Sequence, residues 1–521
     1  MKRTVILTIL DGLGIAPKDI SNPLSKAQLP TIEYIKTHWP IGALQASGIA
    51  VGLPWGEEGN SEVGHLTLGA GKVLYQHYPR ISLAIRNKSF FHNPVLKQAL
   101  NHTQKNDSAL NLIGLLSQGH VHSAYEHLIA LLELAYQEKI SKINLHLFSD
   151  GRDSPPQSGL SLIKKLLEDI KKYNSKIRIA SIAGRFYAMD RDKHWDRTER
   201  AYQVLAANSL ETTSLERLEK IFEKNYAEGR SDEFITPTIV DPQALIQSGD
   251  ALIFFNFRKD RIRQLLEPFT NPNFTRFERK PLENLGIVTF TPYGEEFDVP
   301  AAFPPDAVKK SLGLVLSENN KLQLRIAETE KYAHVTYFFN GLKEEPFLNE
   351  YRILVPSKNV PFYDEYPEMM AKEVTMRAVG AIEENAYDFI LMNYANPDMV
   401  AHTGNFNAAI KAMETIDQQL GKLKEAVLST NAILIITSDH GNIERMVDPL
   451  SGRIETKHDP NPVPFYFIAK EFERMKTEAQ AEIEEKNVIG MLSDVAPTIL
   501  ELMTIKPPAE MTGKSLLEFL L

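Results

Sequence analysis

The residues best suited to chemistry are a few aspartates and histidines and one serine. Ser61 lies in G-N-S-E-V-G-H (59–65), between Gly59 and Gly64 and beside Asn60, Glu62 and His65. Two roles are open to it. It could cap a helix, as serine favours, or hold its hydroxyl toward a reactive group, with glycines allowing close backbone approach. Asp398 and His402 are four residues apart in P-D-M-V-A-H-T-G, so on a helical turn they share one face and could share a cation. Asp439 and His440 stand beside a glycine in S-D-H-G-N, and His458 lies in the Pro-rich K-H-D-P-N-P-V-P. With Asp11 and Ser61 these are hard or borderline ligands in sufficient number for two sites. Two divalent ions about 4 Å apart form a recurring clamp for phosphoryl transfer. Each group alone has a bland explanation as a surface pair, a turn or a helix start. Their coincidence is what points to a metal.

A second group is cationic. Arg152, Arg185, Arg191, Arg258 and Arg261 fall in D-G-R-D, A-G-R-F-Y-A-M-D-R-D and F-N-F-R-K-D-R. Arginine suits planar, bidentate capture of carboxylate or phosphate, so the set fits a small substrate with two anionic groups. His122 and Asp153 add proton carriers. The competing explanation is solvated helix-start charge, paired with Asp190, Asp192 and Asp260. Lys331, in A-E-T-E-K-Y-A-H, reads either as a strand-edge lysine or as a neutraliser of phosphoryl charge.

These residues need elements to hold them. V-I-L-T-I-L-D-G (5–12), F-I-L-M-N-Y-A-N-P-D (389–398) and A-I-L-I-I-T-S-D-H-G-N (432–442) are apolar runs without alternation that end in potential ligands. Such runs suit strands buried on both faces of a parallel sheet. Amphipathic stretches at 368–384 and 407–427 read as helices between them, an α/β pattern. Ligands in open α/β sheets bind beyond the carboxyl ends of the strands. The middle of the chain repeats the rhythm at 143–156, 177–192 and 251–263, where strands run into arginines. Boundaries fall near 75–80 and in the Pro-rich 293–305, which makes the middle block an insertion.

Bulk properties exclude several classes. The 521 residues are 43% hydrophobic and 24% charged, those of a folded protein long enough for two domains. A formal net charge of −9 argues against nucleic-acid binding, which needs concentrated Lys and Arg. With no cysteine, thiolate chemistry and disulfides are excluded. The apolar N-terminal run stops at Asp11 without a cleavage pattern, and no run approaches the roughly 18 apolar residues of a membrane span. A cytoplasmic location is the expectation.

The ordered set L-D-G-L-G, G-N-S-E-V-G-H, D-G-R-D, A-M-D-R-D, F-N-F-R-K-D-R, E-T-E-K-Y-A-H-V-T, N-Y-A-N-P-D-M-V-A-H-T-G, D-H-G-N and N-P-V-P resembles the cofactor-independent (2,3-bisphosphoglycerate-independent) phosphoglycerate mutases of the alkaline phosphatase superfamily. The resemblance runs over nearly the whole chain. It implies an alkaline-phosphatase-like parallel-sheet α/β domain (1–75 and 306–521) that binds metal. An inserted α/β phosphotransferase or substrate-binding domain (80–295) would interrupt it, with linkers at 76–79 and 296–305 acting as hinges.

It also implies two divalent ions, Mn²⁺ foremost, one on Asp398, His402 and His458 and the other on Asp11, Ser61, Asp439 and His440. Ser61 would be the phosphorylated nucleophile, and His122, Arg152, Asp153, Arg185, Arg191, Arg258, Arg261 and Lys331 would bind phosphoglycerate, with no 2,3-bisphosphoglycerate requirement. The implied activity is interconversion of 3- and 2-phosphoglycerate by a monomer that binds neither nucleic acid nor membrane. A metal-dependent phosphatase or phosphopentomutase is the alternative. The sequence departs from the family pattern at Ala124, Ala401 and Asp459-Pro460 without removing a ligand.

Overall fold

The computed structural model describes residues 3–173, 176–206 and 212–520. The chain separates into two compact units, residues 1–76 with 306–521, and residues 77–305.

The first unit is built on an eight-stranded sheet. Its order is Glu350–Val355, Gln323–Glu328, Phe389–Tyr394, Val5–Leu10, Ile433–Thr437, Val463–Ile468, Ile41–Gln45 and Val488–Met491. Val5–Leu10 sits between parallel neighbours, with Ile6 opposite both Ile390 and Leu434. The absence of alternation in these runs has a direct cause. Ile6, Ile390, Leu434 and Ile436 pack on one face with helices Ala371–Glu383 and Phe406–Thr430. Val5, Leu7, Leu391, Ile433 and Ile435 pack on the other with Leu68, Val335 and Phe339. Both faces are covered, so the runs are apolar on both, with Thr8, Asn393 and Thr437 the polar exceptions.

The sheet is not wholly parallel. Val463–Ile468 runs antiparallel to both of its neighbours. It follows the loop that leaves the top of Ile433–Thr437, with no helix between them to carry the chain back. It must therefore descend from the end where its predecessor stopped.

The second unit carries a six-stranded sheet, in the order Thr238–Ile239, Lys176–Gly184, Lys142–Ser149, Leu110–Leu116, Ala251–Phe254 and Gly286–Thr289. It is parallel except at the first pair. Leu112, Leu145 and Ile253 face the helices Pro94–Asn106, Tyr125–Gln137 and Gly159–Ile170. Ile113, Phe148 and Phe254 face Trp195–Ala206 and Arg263–Thr270.

Residues 76–79, read as a linker, run into a helix, His77–Arg86. The later linker, 296–305, is also partly structured, because Ala302 N donates to Thr289 O at 2.8 Å and Phe303 is buried in the second unit's core. Among the described residues no helix is long and apolar enough to cross a membrane.

Candidate functional site

Four neighbouring parallel strands of the first unit deliver its functional residues from the same end. Val5–Leu10 leads to Asp11, and Phe389–Tyr394 leads to Asp398 on the helix Asn396–Ala401, with His402 just after it. Ile433–Thr437 leads to Asp439 and His440, and Gln323–Glu328 leads to Lys331 on the short helix Thr329–Ala333. Carboxyl ends of adjacent parallel strands form one edge, which is where α/β sheets place ligands.

Ser61 opens the helix Ser61–Ala70, but it is not the cap. Asn60 Oδ1 accepts from Val63 N at 3.0 Å and performs that task. The Ser61 hydroxyl is thereby left for other partners. It donates toward Asp11 Oδ1 (3.1 Å), lies 2.9 Å from His440 Nε2 and accepts from Lys331 Nζ at 2.8 Å. The framing glycines allow this proximity. A Cβ on Gly64 would sit 2.5 Å from the Asp439 carbonyl oxygen, and one on Gly59 would sit 2.9 Å from His440 Cβ.

Asp398, His402 and His458 form one group able to hold a cation; Asp11, Asp398 and His440 form a second, and Asp11, His65 and Asp439 a third. His402 Nε2 and His458 Nε2 lie 3.2 and 3.3 Å from Asp398 Oδ1 and 3.2 Å from each other. Each ring commits Nδ1 to a backbone carbonyl, Thr456 O for His402 and Gly59 O for His458, both at 2.8 Å. The rings turn Nε2 toward one another and toward the carboxylate, whose charge raises both imidazoles and suits a shared proton or a cation in that gap.

Lys331 is buried rather than at a strand edge, and its ammonium bridges Asp11 (2.5 Å) and Asp398 (2.6 Å). Asp439 Oδ2 is buried, with His65 Nδ1 beside it at 3.1 Å. Three buried carboxylates around a single lysine suit divalent cations.

The charges shift one another. Burial, then the neighbouring Asp439 carboxylate, raises the Asp11 carboxyl. Burial would also raise Asp398, but Lys331 and hydrogen bonds from His402 and His458 hold it well below the usual carboxylate range. Burial disfavours the Lys331 ammonium, yet Asp11 and Asp398 outweigh it and push its pKa up.

Several supporting residues were missed from sequence. His65 lies one helical turn beyond Ser61, donates from Nδ1 to Ser61 O at 2.9 Å, and places the same nitrogen 3.1 Å from Asp439 Oδ2. Asn393 Nδ2 donates to Asp11 Oδ2 at 2.8 Å and lies 3.1 Å from His65 Nε2. Asn442 Nδ2 donates to Asp398 Oδ1 at 2.8 Å. The four-residue spacing of Ser61 and His65 was a usable signal for the first of these. A lone asparagine in the run F-I-L-M-N-Y was one for the second.

The second unit gathers the remaining candidates by the same device. Neighbouring strands Lys176–Gly184, Lys142–Ser149, Leu110–Leu116 and Ala251–Phe254 lead, in turn, to Arg185, to Arg152 and Asp153, to His122, and to Arg258 and Arg261. Arg185 is buried and donates to Asp150 Oδ1 (2.6 Å) and Asp153 Oδ2 (2.5 Å). Arg191 and Arg258 flank Asp260 at 3.1 and 3.0 Å. His122 lies 3.9 Å from Asp153 and 3.7 Å from Asp260.

Partial burial and the guanidinium groups of Arg191, Arg185 and Arg152 lower the pKa of Arg261, a measure of how much like charge is crowded there. Burial, helped by Arg185, pushes His122 down to about 4. Arg152 is the most open, half exposed and 3.5 Å from Glu233. The paired-charge explanation holds only in part. Asp260 does pair with two of these arginines, but Asp190 is engaged by Arg197 and His194.

The family described as "BPG-independent PGAM N-terminus (iPGM_N)" matches residues 81–295. A protein of Thermomicrobium roseum named 2,3-bisphosphoglycerate-independent phosphoglycerate mutase is 46% identical over 520 residues, covering 98% of each chain. One of the same name from Ectopseudomonas mendocina is 45% identical over 516 residues, covering 99% of each. A solved structure of Leishmania mexicana phosphoglycerate mutase, determined at low cobalt concentration, is 29% identical and covers 99% of this chain and 97% of its own, with a TM-score of 0.51. By full-length identity well above what chance allows, the chain belongs to the 2,3-bisphosphoglycerate-independent phosphoglycerate mutase family.

Proposed function

We propose that the protein interconverts 3-phosphoglycerate and 2-phosphoglycerate, with Ser61 carrying the phosphoryl group between the two positions. The observation that supports this most directly is the Ser61 hydroxyl itself. It stands at a helix N-terminus, 2.8 Å from an ammonium and 2.9 Å from an imidazole, among clustered carboxylates. A helix N-terminus and a buried lysine both favour an anionic phosphoryl group.

Asp398, His402 and His458 would hold one divalent ion and Asp11, Ser61, Asp439 and His440 a second, with His65 supporting Asp439. Mn²⁺ is the choice that the family resemblance implies, since nitrogen and oxygen ligands of this kind suit Zn²⁺ and Co²⁺ as well. Bound there, the ions would lower the hydroxyl pKa and offset charge on the transferring group.

Ser61 Oγ attacks phosphorus in line. An O–P bond forms on Ser61 as the O–P bond to glycerate breaks, and the proton Ser61 gives up balances the one the departing oxygen takes. Lys331 donates to the equatorial phosphoryl oxygens. His122, Arg152, Arg185, Arg191, Arg258 and Arg261 bind the carboxylate and phosphate ends of the substrate. Asp153 takes the proton of the hydroxyl that receives the phosphoryl group, and the return of that proton to the departing Ser61 oxygen leaves both residues as they began. No 2,3-bisphosphoglycerate is needed, because the phosphoryl donor is the enzyme's own serine.

Replacing Ser61 with Ala tests the assignment. Mutase turnover should vanish while the protein keeps a cooperative melt and its far-ultraviolet circular dichroism; appreciable residual isomerisation would remove Ser61 from the role. Phosphate release that outpaces isomerisation in the unmodified enzyme would favour a phosphatase instead.

A further inference from the structure

Glu444 is fully buried and belongs to none of the cation-holding groups, yet it bonds to three of the segments that carry them. Its Oε2 accepts from Gly14 N at 2.9 Å and from Asn442 N at 2.8 Å, and its Oε1 accepts from Asn461 Nδ2 at 3.2 Å. Gly14 lies three residues after Asp11, Asn442 two after His440, and Asn461 three after His458. Through its side chain Asn442 reaches the fourth segment, donating to Asp398 Oδ1 at 2.8 Å.

Backbone bonds run alongside, from Ile443 N to Gly12 O (3.0 Å), Asp459 N to Gly441 O (2.9 Å) and Ile15 N to Pro462 O (2.8 Å). A Cβ at Gly14 or at Gly441 would collide with the Glu444 carboxylate. Both glycines therefore leave the room in which that carboxylate sits.

We propose that Glu444 is the positioning residue that sets the spacing of the metal-ligand loops. Resting on the reading of this cluster as a divalent-ion centre, the inference goes beyond that reading by naming what holds the ligands in register. Carboxylate ligands and imidazoles bind a cation only when their separations match its radius. Three flexible loop segments pinned to one buried side chain have those separations fixed in advance. Without it, Gly14 N and Asn442 N become buried donors with nothing to bond, and the loops shift to find water.

The test compares wild type, Glu444→Ala and Glu444→Gln, each stripped with chelator and titrated with Mn²⁺ by calorimetry. Thermal melts of the stripped proteins report the fold separately. Glu444→Ala should bind Mn²⁺ about 10- to 100-fold more weakly, the usual effect of losing an outer-shell partner. Glu444→Gln keeps an oxygen for Gly14 N and Asn442 N, and Asn461 can turn its amide to meet the new NH₂, so most of the affinity should return. Wild-type affinity in Glu444→Ala overturns the proposal, and so does a glutamine variant no better than alanine. If the alanine variant does not fold, Asn461→Ala removes one arm alone; it should weaken Mn²⁺ binding without moving the stripped melt, and unchanged affinity there overturns the proposal. Wild-type protein that takes up no Mn²⁺ would sink the metal reading itself, a result distinguishable from any difference among variants.

Discussion

At the scale of single residues, Lys331 has the most exacting position. Its three ammonium protons have three acceptors, Asp11, Asp398 and Ser61. Lys331→Met should therefore do two separable things. It should cut turnover by roughly 10²–10³-fold, the usual effect of deleting one charge-stabilising donor. It should also destabilise the metal-stripped protein by about 3–5 kcal/mol, because two buried carboxylates lose their counter-ion. Mn²⁺ should close most of that stability gap, and melts with and without metal would show it; a gap indifferent to metal would contradict the arrangement.

His122 makes the opposite case, a group held neutral. Burial and Arg185 lower it from the ordinary imidazole value to about 4. The sign follows: protons bind the unfolded chain first, so the contribution of His122 to stability is full above about pH 6.5 and is lost as pH falls toward 4. Its imidazole NMR resonances should show no midpoint between about pH 8 and 5, and a midpoint near 6.5 would show the ring to be solvated.

Much of this was legible in the sequence, because Asp and His at the ends of apolar runs announce themselves. The role of His65 was not read, although it stands one helical turn from Ser61, because its partner Asp439 is brought to it only by the fold. Nor was that of Glu444, whose partners at 14, 442 and 461 are gathered in the same way.

At the scale of elements, one device serves both units, adjacent parallel strands that release functional loops along one edge. The central apolar strands were readable from composition, whereas Gln323–Glu328 was not. Its Q-L-R-I-A-E carries Arg325, which is buried with its guanidinium 5.0 Å from the Phe339 ring and 5.2 Å from that of Phe389. A strand whose buried cation is satisfied by aromatic faces does not look like a strand in one dimension. Helix ends also shifted. The long helix expected over 407–427 runs Phe406–Thr430 because Asn405 caps its start and Asn431, in the left-handed region, ends it.

The Ser61 helix lies so close to the Asp439 loop that Gly64→Ala must displace one or the other. The expected loss is about 1–3 kcal/mol, as for other overpacked sites, accompanied by weaker metal binding because Asp439 moves. Unfolding titrations with and without Mn²⁺ measure both, and an unperturbed variant would mean that the approach is looser than described.

At the scale of the molecule, the hydrophobic clusters respect the division of the chain. Among the described residues, two are drawn wholly from residues 1–76 and 306–521, and three wholly from 77–305. The inserted block thus has a complete interior of its own. Residues 77–305 produced alone should melt cooperatively and bind phosphoglycerate without transferring phosphate; a non-cooperative melt would show that its interior needs the rest of the chain.

The placement of Val5–Leu10 has a consequence for biosynthesis. This segment is synthesised well before its two hydrogen-bonding neighbours, Phe389–Tyr394 and Ile433–Thr437. At about 5–20 residues per second, the nascent V-I-L-T-I-L waits on the order of 20–90 s for its second neighbour, while the inserted block can already have matured. Over that interval the nascent chain carries an unpaired, apolar, β-prone hexapeptide, a segment of the kind that invites misplaced strand pairing until its own neighbours are made.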